Sequence, residues 1–173
     1  MIPYNRIMLI GCPGSGKTTV ARRLAAASDL PLTHLDQEYW RADWTQMPWE
    51  EFQARVAELA AGERWILDGN MGGTYELRWR RADLVIFLDT HPLVNLRRIF
   101  KRYGQERPDM PEGMAKDQIF RLHNLSLWLF VLYFRLTERP GILKLRRKYP
   151  EAAFLQLKNQ KEIDKILAEW GVL

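Results

Sequence analysis

The chain has 173 residues, with 26 Lys+Arg against 21 Asp+Glu for a formal net charge of +5, and one cysteine. A single cysteine excludes an intrachain disulfide and any multi-cysteine zinc site. The longest wholly apolar run, Leu127 to Phe134, falls far short of the roughly 20 residues that span a bilayer, so a membrane partner is not expected. The length suits one domain, 1–173, with a single core. A strand that begins almost at the first residue leaves no room for a signal peptide, so the expected location is the cytoplasm.

Arg6 to Ile10 reads as a short apolar strand and 16–28, rich in Ala and Leu, as a helix. Between them Gly11-Cys12-Pro13-Gly14-Ser15-Gly16-Lys17-Thr18 fits the phosphate-loop pattern G-x-x-x-x-G-K-[ST] at every fixed position. Enclosing a polyphosphate requires backbone N–H groups to approach it through conformations that a Cβ obstructs, which Gly11, Gly14 and Gly16 permit. Lys17 would reach the terminal phosphates and Thr18 would bind Mg²⁺. Pro13, Ser15 and Thr19 complete the nucleotide-binding segment, and the amides opening the helix add partial positive charge. Cys12 reads as a small side chain filling a tight loop rather than a redox sensor, because a sensor needs exposure as well as a low pKa.

Further along, apolar runs at 32–35, 64–67, 84–88 and 152–157 predict strands, and 49–61, 74–82, 91–103, 116–137 and 159–170 predict helices. This alternation predicts an α/β fold, a parallel sheet with helices on both faces and the ligand at the carboxyl ends of the strands. Gly62, Thr90 as an N-cap before His91-Pro92, and Pro140 mark helix boundaries. Asp36, Asp68 and Asp89 each follow a strand, where only one is needed as the outer partner of Mg²⁺. Asp68 is preferred, because Gly69-Asn70 lets the chain turn sharply into the site. Asp89 is an equal candidate by pattern, with a cap or turn role as the alternative. Asp36 is open between the acceptor hydroxyl or its metal and a helix cap. Trp40, Trp44 and Trp49 crowd the acceptor side, for core packing or for stacking on a flat group.

These residues resemble the adenylate-kinase-related P-loop kinases, and more narrowly the small bacterial proteins labelled DNA topology modulation proteins. The narrower likeness rests on His34-Leu35-Asp36 with Trp40, Ile66-Leu67-Asp68-Gly69-Asn70, Arg78 to Asp83 with Ile86 to Asp89, and Arg107-Pro108-Asp109-Met110. It implies a three-layer α/β/α fold, a five-stranded sheet in the order 2-3-1-4-5, and a helical lid at about 97–115. By the same resemblance Arg98, Arg102 and Arg107 are lid arginines suited to phosphate oxygens. Gly69, Asn70, Arg78 and Arg81 fall on the acceptor side, and Asn159 lies where related kinases contact adenine.

Residues 1–90 carry 10 Lys+Arg against 12 Asp+Glu, and residues 91–173 carry 16 against 9, so anions should meet the second half. The expected activity is an ATP- and Mg²⁺-dependent phosphotransfer to a small acceptor, a nucleotide or nucleoside by analogy, from a monomer or homodimer. The apolar 125–134 segment is expected to pack on the domain and on a neighbouring helix or subunit. The rival is a nucleotide-gated DNA-binding protein, less favoured because the basic residues are arranged as a lid rather than as a recognition helix.

Overall fold

The computed structural model describes residues 2–41, 45–102 and 125–172. In chain order, β1 is Arg6–Gly11, α1 Lys17–Ser28, β2 Leu32–His34, α2 Leu35–Tyr39, α3 Trp49–Ala61 and β3 Trp65–Asp68. A single 3₁₀ turn, Gly72–Thr74, then leads into α4 Tyr75–Trp79 and β4 Leu84–Leu88. The rest is α5 Pro92–Lys101, α6 Leu125–Thr137, α7 Arg139–Lys148, β5 Ala153–Leu157 and α8 Gln160–Glu169. The strands form one parallel sheet in the order β2-β3-β1-β4-β5. That is the order implied by the kinase resemblance, and every strand read from the sequence is present to within a residue or two.

Strand alternation decides the two layers. In β1, Ile7 and Leu9 face the side covered by α1 and α8, while Met8 and Ile10 face the side that carries α3, α4, α6 and α7. β1, β3 and β4 are covered on both faces, which is why they read as continuous apolar runs rather than alternating ones. On the second face Phe87 meets Phe134 and Phe154 at ring-centroid distances of 6.5 and 6.3 Å, and Trp79 stacks on Phe154 at 5.6 Å. At the amino ends of the strands Asp83 accepts from the Arg6 amide and guanidinium, joining β1 to the start of β4.

Two boundaries depart from expectation, at Thr90 and at Pro140. Thr90 is not the cap of α5: His91 holds that position and its Nδ1 accepts from Leu93 N–H at 3.3 Å, while the Thr90 hydroxyl turns inward onto Asn95. The long helix expected at 116–137 is described only as α6, its first part lying outside the described residues. Pro140 stands in the first turn of a further helix, α7, where its missing N–H costs nothing. The short α2 was also unforeseen, since five residues give too little periodicity to read.

Helix α6 turns Val131 and Phe134 into the core, and Trp128 stacks on Phe100 of α5 at 4.5 Å. Its opposite face exposes Leu129, Leu132, Tyr133 and Leu136. No helix among the described residues is long and apolar enough to cross a membrane.

Phe87 is completely buried at the centre of the aromatic layer. Phe87→Ala is expected to lower the unfolding free energy by about 3–5 kcal/mol, as a cavity the neighbours cannot close. Chemical denaturation of the two proteins checks this.

Candidate active site around the phosphate loop

The loop after β1 is held by backbone contacts that exclude side chains. Gly14 has φ +79°, and a Cβ there would sit 2.5 Å from the Asn95 carbonyl oxygen; at Gly11 it would meet the Leu88 carbonyl at 2.6 Å. Gly16, with φ +101°, is the N-cap of α1, and no side chain caps that helix or places an acid in its first turn. A helix opening of this kind, with no acid in its first turn, suits an anion. The Cys12 thiol lies buried with Sγ 3.9 Å from the Val131 carbonyl, and burial pushes its pKa up to about 11. A thiol so placed fills space and ties the loop to α6.

Lys17 folds back over the loop, its Nζ donating to the carbonyls of Gly11 at 2.8 Å and Cys12 at 3.1 Å. The Thr18 hydroxyl donates to Asp68 Oδ2 at 3.1 Å, and His34 Nδ1 lies 2.9 Å from the same oxygen. Asp68 is 4% exposed, and its other oxygen, Oδ1, is buried with no hydrogen-bond partner among the described residues. Thr18, Lys17 and Asp68 thus converge at the carboxyl ends of β1 and β3.

Beside the loop a cleft of about 320 Å³ opens between α1, α5 and α8. Gly14, Ser15, Gly16, Thr19 and Arg23 line it on the loop side, Arg98, Lys101 and Arg102 on α5, and Gln160, Ile163 and Leu167 on α8. Arg98 stitches it together, donating to the Ser15 carbonyl at 2.9 Å and to Gln160 Oε1 at 2.8 Å. Of the expected lid arginines, Arg98 and Arg102 reach the cleft, and Arg107 lies outside the described residues. Asn159 does not face it as a base contact: its side chain accepts from Glu162 N–H at 3.0 Å and caps α8.

On the other side of the loop, the Asp68-Gly69-Asn70 turn packs on α2. A Cβ at Gly69 would come within 2.8 Å of Leu35 Cβ. Arg78, expected to contact the acceptor, is instead fully buried beneath this turn. It donates to the carbonyls of Gly69 at 3.0 Å and Met71 at 3.3 Å, and burial pushes its pKa down to about 10. Its guanidinium shapes the turn. Tyr75, whose phenol is pushed well up by burial, donates to Asn70 Oδ1.

Arg81 is not brought to the site. It donates to the Ala61 carbonyl at 3.3 Å, at the end of α3 that feeds the amino end of β3, across the sheet from the loop. Asp36 lies in the first turn of α2, and Trp40 closes that helix, bridging to Gln46 and meeting Tyr39 edge-on at 5.2 Å. Trp49 lies over Gly73, where a Cβ would be 2.5 Å from its ring, and remains 41% exposed. Trp44 is outside the described residues.

Asp89 has a different occupation from both roles considered for it. It is 3% exposed and accepts from Arg135 Nε at 3.1 Å, Arg139 Nε at 3.0 Å and Gln156 Nε2 at 2.8 Å, pinning the junction of α6 and α7 to the sheet. Sequence reasoning missed Arg135 and Arg139, although their four-residue spacing around Thr137-Glu138 is a legible signal. It also missed Glu138, whose carboxyl stands 3.0 Å from where a Gly72 Cβ would be and whose pKa is pushed up by burial.

A family model described as "AAA domain" matches residues 7–121, and the chain belongs to that family. A Pyrococcus furiosus protein named "Putative adenylate kinase" is 28% identical over 162 residues, covering 88% of this chain and 82% of its own. Among solved structures, the shikimate kinase from Acinetobacter baumannii in complex with shikimate superposes with a TM-score of 0.61 at 20% identity, covering 96% of this chain and 90% of that one. A sugar kinase from a Janibacter species gives 0.52 at 18% identity, with 98% and 96% covered. The superpositions show a fold shared with these kinases.

Because the Gly14 backbone is both left-handed and against Asn95, Gly14→Ala is expected to cost about 1–3 kcal/mol of stability. It should weaken ATP binding along with it. Thermal melts and titration calorimetry would show the two losses together.

Proposed function

We propose that the protein is an ATP-dependent phosphotransferase of the nucleoside monophosphate kinase type, moving the γ-phosphoryl group to a small acceptor. The observation that carries this reading is the convergence of the glycine loop, Lys17, Thr18 and Asp68 at the carboxyl end of β1, with one buried Asp68 oxygen left over. A buried ionised oxygen without a donor is costly, so the donor set fits a hydrated cation. Among the described residues no group of three His, Cys, Asp or Glu could hold a metal alone. Thr18 and Asp68 would instead share Mg²⁺ with the oxygens of the nucleotide, as is usual for this ion. Bound there, Mg²⁺ would neutralise charge on the phosphates.

The chain's own residues supply the rest. Loop amides and the opening of α1 bind the phosphates, and Lys17 exchanges the Gly11 and Cys12 carbonyls for phosphate oxygens. The cleft between α1 and α8 takes the base and ribose, with Arg98 and Arg102 at its rim facing the phosphate end. Arg107 is proposed to join them. Across the loop, Asp36, Trp40, Gly69 and Asn70 border the acceptor, with Trp49 and Glu138 beside them. Catalysis then comes from positioning and electrostatic stabilisation. A nucleotide or nucleoside is the leading acceptor. The topology-modulation subgroup remains the proposed affiliation on the strength of the Asp-Gly-Asn turn. The kinases among the relatives favour phosphotransfer over nucleotide-gated DNA binding.

Lys17→Ala is expected to lower ADP formation from Mg·ATP by about 100-fold or more while leaving the far-ultraviolet spectrum unchanged. Full activity in that variant would remove the assignment. Asp68→Asn should raise the Mg²⁺ concentration for half-maximal activity about ten-fold. Asp89→Asn should leave that concentration unchanged and lower the melting temperature instead, because its partners are Arg135, Arg139 and Gln156. The opposite pattern would transfer the metal role to Asp89.

A further inference from the structure

His34 ends β2 directly beside Asp68, the two paired in register across the parallel β2–β3 ladder. Paired residues in a ladder project to the same face, so sheet geometry rather than loop conformation brings the imidazole to the carboxylate. His34 is 8% exposed and Asp68 4%. An ionised carboxylate only accepts, so Nδ1 at 2.9 Å carries the proton and donates it. Thr18 donates to that same Oδ2, so two donors converge on one oxygen while Oδ1 has none among the described residues.

We propose that His34 is a positioning residue for the cation site, holding the Asp68 carboxylate in one orientation by its bond to Oδ2, so that Thr18 and Asp68 would offer a cation a fixed donor set. The proposal rests on the assignment of Thr18 and Asp68 above. A carboxylate torsion is soft and two-fold, so without a tether the group would sample orientations that share the load between both oxygens. Thr18 has two duties, giving its proton to Oδ2 and its lone pairs to the cation. His34 has no duty at Nδ1 other than this bond, and its hold on Asp68 does not depend on what Thr18 binds.

The test compares wild type, His34→Leu and His34→Asn by calorimetric titration with ATP, with and without Mg²⁺, and by steady-state kinetics at saturating Mg²⁺. Asn places an amide N–H where Nδ1 stands. Metal-free ATP binding should agree among the three within about two-fold, since nothing in that site changes. The Mg²⁺-dependent gain in affinity should fall about ten-fold in His34→Leu and be largely restored in His34→Asn. At saturating Mg²⁺ the KM for ATP should rise in His34→Leu in step with the lost affinity and return toward the wild-type value in His34→Asn. If His34→Leu does not fold, His34→Phe, a flat ring with no N–H, takes its place as the variant without the donor. Full Mg²⁺ gain in the donor-less variant, or equal loss in His34→Asn, would overturn the proposal. A wild type whose ATP affinity ignores Mg²⁺ would overturn the cation assignment itself, and the proposal with it.

Discussion

A loop that turns its backbone N–H groups toward an anion takes much of its shape from what packs around it. Here the constraint is met at four points. Gly11 lies against the Leu88 carbonyl, Gly14 against Asn95, the Ser15 carbonyl takes Arg98, and the Cys12 thiol abuts Val131. β4, α5 and α6 are all drawn in by that requirement. The Thr90–Asn95 pair and the Asp89 contacts to Arg135 and Arg139 secure the elements that press on the loop.

The two sides of the loop are built differently. The nucleotide side is an open cleft between helices, bordered by arginine and lysine. The opposite side is a turn, 68–73, whose carbonyls are taken up by buried Arg78 and whose glycines admit Leu35 and Trp49 at close range. Two carboxylates thus serve opposite purposes. Asp89 is saturated by donors and acts as a structural rivet, whereas Asp68 keeps one oxygen without a partner among the described residues, at the point where charge is expected to gather.

How much of this was legible in the sequence follows from which interactions are local. The phosphate loop and the strand pattern rest on short-range features, glycine spacing and apolar runs, whereas pattern alone leaves Asp68 and Asp89 equal candidates. The sheet order came by resemblance, and residue pattern alone supplies only the parallel alternation. The resemblance puts both Arg78 and Arg81 on the acceptor side. One is sealed under the turn and the other bonds the end of α3. Helix phase over so short a segment, interrupted by a turn, was not readable. His34 against Asp68, 34 residues apart, depends on a register that exists only once β2 and β3 are paired. Asn159 was ambiguous between cap and ligand because both uses favour the same residue at a helix start.

The most direct test of the account is ADP release from Mg·ATP by the purified protein across nucleoside monophosphates, nucleosides and small hydroxylated metabolites, with duplex DNA as a separate additive and products identified by mass. The account predicts stimulation by a small acceptor and a product heavier by one phosphoryl group. Stimulation by DNA alone, with no phosphorylated product, would contradict it.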